Sequence, residues 1–198
     1  MGTRHLIAVV KDKKYVVAQY GQWDGYLSGQ GKDILSFLKN DIDRKKFENN
    51  LDKVSYATSD ELQRMWKEAG ADDSEFIGME VSDKFKEMYP ENSRDTGANI
   101  LNIIKDTNKP LKIVNDINFP KDGLMCDYAY VIDFDNSVFE VYRGFNEEPL
   151  VSTDRFYSEN PNKDDKYYVK LLVKFDFDNL PNEEEFLAYD EDDEDEDE

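Results

Sequence analysis

The chain holds one cysteine, Cys126, among 198 residues, so it can close no intrachain disulfide, and a reducing compartment suits it best. Long apolar runs are also missing. Nothing approaches the roughly 18 apolar residues of a membrane helix. The opening MGTRHLIAVV is basic and then apolar, but too short for a signal peptide and without a small-residue cleavage pattern. Leu6 stands where a myristoylation signal at Gly2 would need Ser or Thr. Positive charge is scarce, with 25 Lys and Arg against 45 Asp and Glu and a net charge of -20. Nucleic-acid binding needs cations to neutralise phosphates, so direct binding to nucleic acid is disfavoured. These absences predict a cytoplasmic protein with neither a membrane nor a nucleic acid as direct partner.

What is abundant is acid, and it is unevenly placed. Residues 183–198 carry twelve Asp or Glu and no Lys or Arg, leaving 25 basic and 33 acidic residues, or -8, for residues 1–182. Nine consecutive acids run from Asp190 to Glu198. Such a run buries nothing and repels itself, so the expectation is a single domain over 1–182 with a disordered acidic tail over 183–198. A tail of this kind confers solubility, or competes with nucleic acid for a basic, nucleic-acid-binding protein.

The patterning predicts an α+β domain, with a mainly antiparallel sheet of about five strands covered by about four helices. His5 to Val10 and Tyr15 to Tyr20 flank a charged turn and read as a hairpin apolar on both faces, at the centre of a sheet. Ile34, Leu35, Phe37 and Leu38 give a helix from Asp33, followed by a polar segment anchored only by Ile42, Phe47, Leu51 and Val54. Thr58-Ser59-Asp60-Glu61 forms a capping box ahead of Leu62, Met65, Trp66 and Ala69, with Gly70 as the stop. Helices are also expected over 82–89 and 96–106, and a brief strand at Ile113-Val114. A second hairpin joins 127–134 to 138–142 through Asp135-Asn136-Ser137. Residues 146–165 read as a surface loop. Residues 167–177 read as an amphipathic strand with Val169, Leu171, Val173 and Phe175 on one face.

One stretch is over-equipped for a connection. Gln19 to Gly31, QYGQWDGYLSGQG, holds four glycines, three aromatics and three glutamines in thirteen residues. Glycine permits close backbone approach, and Trp and Tyr offer flat faces with a polar tip. Gly29-Gln30-Gly31-Lys32 ahead of a helix invites comparison with a phosphate-binding loop. The Walker pattern needs glycine where Tyr26 stands and Ser or Thr where Asp33 stands, which excludes it. Hairpin geometry sets Arg4 and the only histidine, His5, near Gln19 and Tyr20, at the end where the glycine-rich stretch begins. A cleft holding Arg4, His5, Gln19, Tyr20, Gln22, Trp23, Asp24, Tyr26, Gln30 and Lys32 suits a small polar or nucleotide-like ligand. His5 with Asp24 could alternatively serve as acid or base in a small hydrolase or transferase. A Cys126–His5 nucleophile pair is conceivable, although Cys126 reads as a small buried residue at a strand start. The tetrapeptide DFDN occurs at 133–136 and 176–179. Asp133 and Asp135 are weak candidates for a hard cation, and ordinary turn formation at strand ends is the better account of them. No cofactor is indicated.

The segments Gly2-Thr3-Arg4-His5-Leu6-Ile7, Ala18 to Tyr26 (AQYGQWDGY) and Gly29-Gln30-Gly31, with a weaker match over 128–144, resemble an uncharacterised protein family of bacteriophage and fungal genomes. Members of that family often carry proline where this chain has Leu27. The resemblance implies that the residues around the glycine-rich stretch belong together, and it brings no reaction with it. Together these readings lead to the expectation of a non-catalytic binding protein, of the phage-type inhibitor or sequestering kind, acting in the cytoplasm, that of the host if phage-encoded.

Overall fold

Strand β1 (His5–Lys11) is buried at every position except Lys11, so it must lie inside a sheet with both faces covered. The computed structural model, which describes residues 2–72, 77–158 and 166–191, supplies both neighbours. Strand β2 (Lys14–Gly21) pairs with β1 antiparallel in the expected hairpin, with Leu6 opposite Tyr20. On the other side β1 pairs parallel with β5 (Tyr128–Asp133), which enters the sheet after the whole helical middle of the chain. Strands β6 (Val138–Asn146) and β7 (Tyr168–Asp176) follow antiparallel, giving the order β2-β1-β5-β6-β7. The fold is α+β, a mixed and mostly antiparallel five-stranded sheet with six α-helices among the described residues. The first hairpin is not central as a unit: β1 is interior, while β2 is an edge strand.

Between β2 and β5 run α1 (Lys32–Lys39), α2 (Asp41–Asn50), β3 (Val54–Tyr56), α3 (Ser59–Ala69), α4 (Met79–Met88), α5 (Asn99–Asp106) and β4 (Leu111–Ile113). The short strands β3 and β4 form a separate parallel pair. Helix α2 occupies the segment read as polar and weakly anchored. Asn40 caps it by accepting from the Asp43 amide at 3.3 Å, and Phe47 is fully buried, whereas Ile42 is 78% exposed. The Asn50 amide then donates to the carbonyls of Ile104, Lys105 and Thr107, which ties α2 to the C-terminus of α5. The capping box of α3 forms as read: Thr58 Oγ1 accepts from the Glu61 amide and Glu61 Oε2 from the Thr58 amide, and Gly70 ends the helix.

The sheet divides the core. Ile7, Val9, Val17, Tyr130, Ile132 and Phe139 face the helical side with Ile34, Leu38, Phe47 and Ile100. Leu6, Ala8, Ala18, Val131 and Tyr142 face the other side, which is covered by loop residues led by Phe156. Two expectations at the C-terminal end are corrected. In β7 the register shifts so that Tyr142 opposes Leu171 and Val141 opposes Val173, making Leu172 an extra residue. The anticipated single stripe is thereby split: Val173 and Phe175 join the helical side, Val169 joins the opposite core, and Leu171 is 48% exposed.

The second correction concerns the acidic segment, whose first nine residues are not disordered but form α6 (Glu183–Glu191). Asn182 and Glu185 make a reciprocal cap, with bonds of 3.0 and 2.9 Å. The three glutamates of the first turn favour the helix dipole. Phe186 is fully buried, 6.0 Å in ring-centroid distance from both Phe139 and Phe175. The body of the fold therefore extends past residue 182, and residues 192–198 lie outside the described residues. The loop read over 146–165 is described as far as Ser158; in it Arg155 bonds Glu140 at 2.5 Å and Asp133 at 2.7 Å, and Phe156 is buried. No helix among the described residues is long and apolar enough to cross a membrane.

Candidate functional site

The polar groups of the glycine-rich stretch are spent mainly on one other segment, residues 91–98. Gln19 Nε2 donates to the Glu91 carbonyl at 2.9 Å, and the Gln22 amide donates to the Arg94 carbonyl at 2.9 Å. Trp23 Nε1 donates to Asp95 Oδ1 at 2.9 Å, and Gln30 Oε1 accepts from the Ala98 amide at 2.6 Å. Gly97, at φ +51°, sits so close to this last contact that a Cβ would lie 2.3 Å from Gln30 Oε1. Four residues read as ligand-binding thus act as a clamp on a loop that is remote in sequence. At the end of the stretch Lys32 pairs with Glu183 of α6 at 3.5 Å.

The sheet separates the remaining candidates. Side chains of directly opposed residues share a face, and successive residues alternate. His5 lies on the helical side with Tyr130, whereas Tyr20, opposite Leu6, lies on the other side against Phe119. Arg4 is drawn to Asp127, which accepts from its backbone amide at 2.6 Å and from Nε at 3.3 Å. Tyr20 donates to Gln22 Oε1 at 2.6 Å. Asp24 is exposed and its backbone has φ 56°, with its carbonyl accepting from the Gln30 amide. Tyr26 is 50% exposed. The ten residues consequently do not line one common cleft.

His5 is 1% exposed, and neither ring nitrogen makes a hydrogen bond. Gly21 is what allows this: a Cβ there would sit 2.2 Å from the imidazole. Desolvation by burial pushes the His5 pKa down to about 4, only partly offset by the Thr3 backbone. The imidazole is neutral at neutral pH and out of contact with solvent, so nothing in this geometry equips it as an acid or base.

Cys126 is fully buried in the core on the opposite side of the sheet, which removes the conceivable nucleophile pair with His5. The two DFDN carboxylates also diverge. Asp133 accepts from Arg155 Nη2 and from Asn136, whereas Asp135 accepts from the Asp12 and Lys13 amides at 2.8 and 2.6 Å. Both are committed to turns and an ion pair, not to a shared cation. Among the described residues no group of three or more His, Cys, Asp or Glu is placed to hold a metal ion.

A different cleft, of about 310 Å³, opens between α3, α4 and the clamped loop. Its apolar wall is Trp66, Phe85 and Ile77, with Trp66 and Phe85 stacked at 3.7 Å between ring centroids. Ser82, Asn92, Ser93, Arg94 and Asp95 supply the polar part. The Asn92 amide is fixed by donating to the Lys112 carbonyl at 2.9 Å, leaving its Oδ1 buried and without a partner. Asp95 receives Trp23 Nε1 and Lys86 Nζ at 3.1 Å. Desolvation raises the pKa of that carboxyl, but the hydrogen bonds from Lys86 and Trp23 and the charges of Lys86 and Arg94 outweigh it and hold the group below the usual range. The Arg94 side chain is exposed and makes no hydrogen bond or ion pair among the described residues. Sequence reasoning placed Trp66 on the core stripe of α3 and gave no role to 92–95. Half-burial along that stripe is a property of the packing, and no local signal marks Asn92 to Asp95.

Compared with protein-family models, curated proteins and solved structures, the chain matches none.

Proposed function

We propose that this chain is a non-catalytic binding protein that takes a small ligand in the cleft between α3, α4 and residues 92–95. The glycine-rich stretch is the device that holds one wall in place, with Trp23 bracing Asp95 from behind. One observation carries the reading: a stacked aromatic wall and Arg94, whose guanidinium makes no direct hydrogen bond or ion pair among the described residues, line a cleft whose one carboxylate, Asp95, is already ion-paired with Lys86. Small-ligand sites combine an apolar body with a few placed polar groups in this way. The sequestering role expected from the sequence fits such a protein. The alternative of a hydrolase or transferase using His5 and Asp24 draws no support from a histidine buried to 1% exposure.

Amide chemical shifts of the full chain, followed against a panel of nucleotides, sugars, amino acids and aryl acids, test the proposal. Saturable shifts concentrated at Trp66, Phe85 and Asn92 to Asp95 are expected. Saturable binding that moves other residues and leaves these still would overturn it.

A further inference from the structure

We infer that the cleft selects an anion carried on an apolar body, a carboxylate or phosphate attached to one aryl ring or a short alkyl chain. This deepens the preceding reading and rests on the cleft being a binding site. Three features carry it.

The first is charge at short range. Arg94 and Asp95 are the charged residues of the lining, and they are not equivalent. Asp95 is engaged by Lys86 at 3.1 Å and by Trp23 at 2.9 Å. Arg94 has neither an ion pair nor a side-chain hydrogen bond among the described residues, and its carbonyl is what the Gln22 amide holds. The backbone of Arg94 is therefore fixed, while its guanidinium keeps its donors free of any direct partner among the described residues and acts on Asp95 only through its charge. A guanidinium presents a planar fork of donors that matches a carboxylate or phosphate in two parallel bonds. The net charge of -20 opposes an anion at long range, but exposed charges farther than about 8 Å away are screened at physiological salt. At short range Lys86 and Arg94 supply two cations against the one carboxylate of Asp95, so the local balance is positive.

The second feature is the apolar half. Half-buried Trp66, backed by the buried Phe85 on which it stacks, and Ile77, 43% exposed at the rim, present the accessible apolar surface. A ligand with an apolar body laid here buries that surface, and a body that is polar all round gains least from it. The third feature is size. At about 310 Å³ the cleft lies at the lower end of small-molecule sites, which run from roughly 300 Å³ upward, and so it suits one ring or a short chain. Asn92 Oδ1, the unpartnered buried acceptor of the lining, adds a preference for a ligand with an N–H or O–H beside its apolar body.

Four probes of matched body separate the possibilities: phenylacetate, phenyl phosphate, 2-phenylethanol and phenethylamine, each titrated into the full chain and followed by the amide shifts of residues 92–95. At least one anion is expected to bind tenfold or more tightly than the alcohol and the amine, and the tighter of the two anions identifies the head group. Arg94→Gln should bring that anion down to the affinity of the alcohol. It should shift the unfolding transition little, because the guanidinium is exposed and makes no hydrogen bond or ion pair among the described residues. If the alcohol or amine binds as well as the anions, or Arg94→Gln changes nothing, the ligand class is wrong and the cleft stands. If no probe at millimolar concentration moves these amides, the ligand class and the cleft reading both fall.

Discussion

Acidification offers a direct test of where His5 sits. In the unfolded chain its imidazole titrates near 6.5, and in the folded chain burial pushes the value down to about 4. A depressed folded-state pKa means that the unfolded state binds the proton first. The contribution of neutral His5 is thus fully present above pH 6.5 and is lost progressively as pH falls towards 4. Each unit of that interval is worth about 1.4 kcal/mol, so the whole interval removes about 3 kcal/mol. For a chain of this length that corresponds to a fall in Tm of about 6 to 12 °C. Carboxylates held below their usual range, such as Asp95 and Asp133, also lose stabilisation in acid and must be subtracted. His5→Phe supplies the reference, because a flat apolar ring keeps the packing against Tyr130 and does not titrate in this range. Urea unfolding of both proteins followed by circular dichroism at pH 7, 6, 5 and 4 gives the difference. The wild type should lose about 3 kcal/mol more than the variant, with most of the divergence between pH 6.5 and 4. Parallel pH profiles would refute the argument, since they would mean that His5 reaches solvent or a partner when folded.

Two further perturbations probe features that sequence reading left out. Phe186→Ala removes a fully buried ring from between Phe139 and Phe175 and should cost about 3 to 5 kcal/mol in urea unfolding; a cost below about 1 kcal/mol would show that α6 does not dock in solution. Arg155→Met leaves the carboxylates of Asp133 and Glu140, 1% and 7% exposed as residues, without their shared cation. A loss of about 3 to 5 kcal/mol at pH 7 is expected from the uncompensated charges, and an unchanged midpoint would contradict the ion-pair geometry.

The sequence by itself determined the elements whose signals are local. The apolar runs of β1 and β2, the Thr58–Glu61 box of α3, the turn at 135–137 and the α+β class all follow from contacts a few residues apart, which periodicity and capping chemistry report. Local pattern was misleading where a local property was overruled from a distance. Glu183 to Glu191 counts as charge in the sequence, yet one aromatic, Phe186, finds a slot beneath β6 and β7 and the segment becomes a helix. The alternation of 169–175 is regular, yet an extra residue in the β6–β7 pairing sends its halves to opposite faces. The parallel union of β1 with β5 depends on segments more than a hundred residues apart. The candidate site shows the same division. The sequence marked Gln19 to Gly31 as over-equipped, and the structure shows those groups engaged in holding 91–98. Only the tertiary structure could assemble Trp66, Phe85 and Asn92 to Asp95 into one cleft. It alone decided which charges there are paired, because partnership is settled by long-range packing and not by neighbours in the chain.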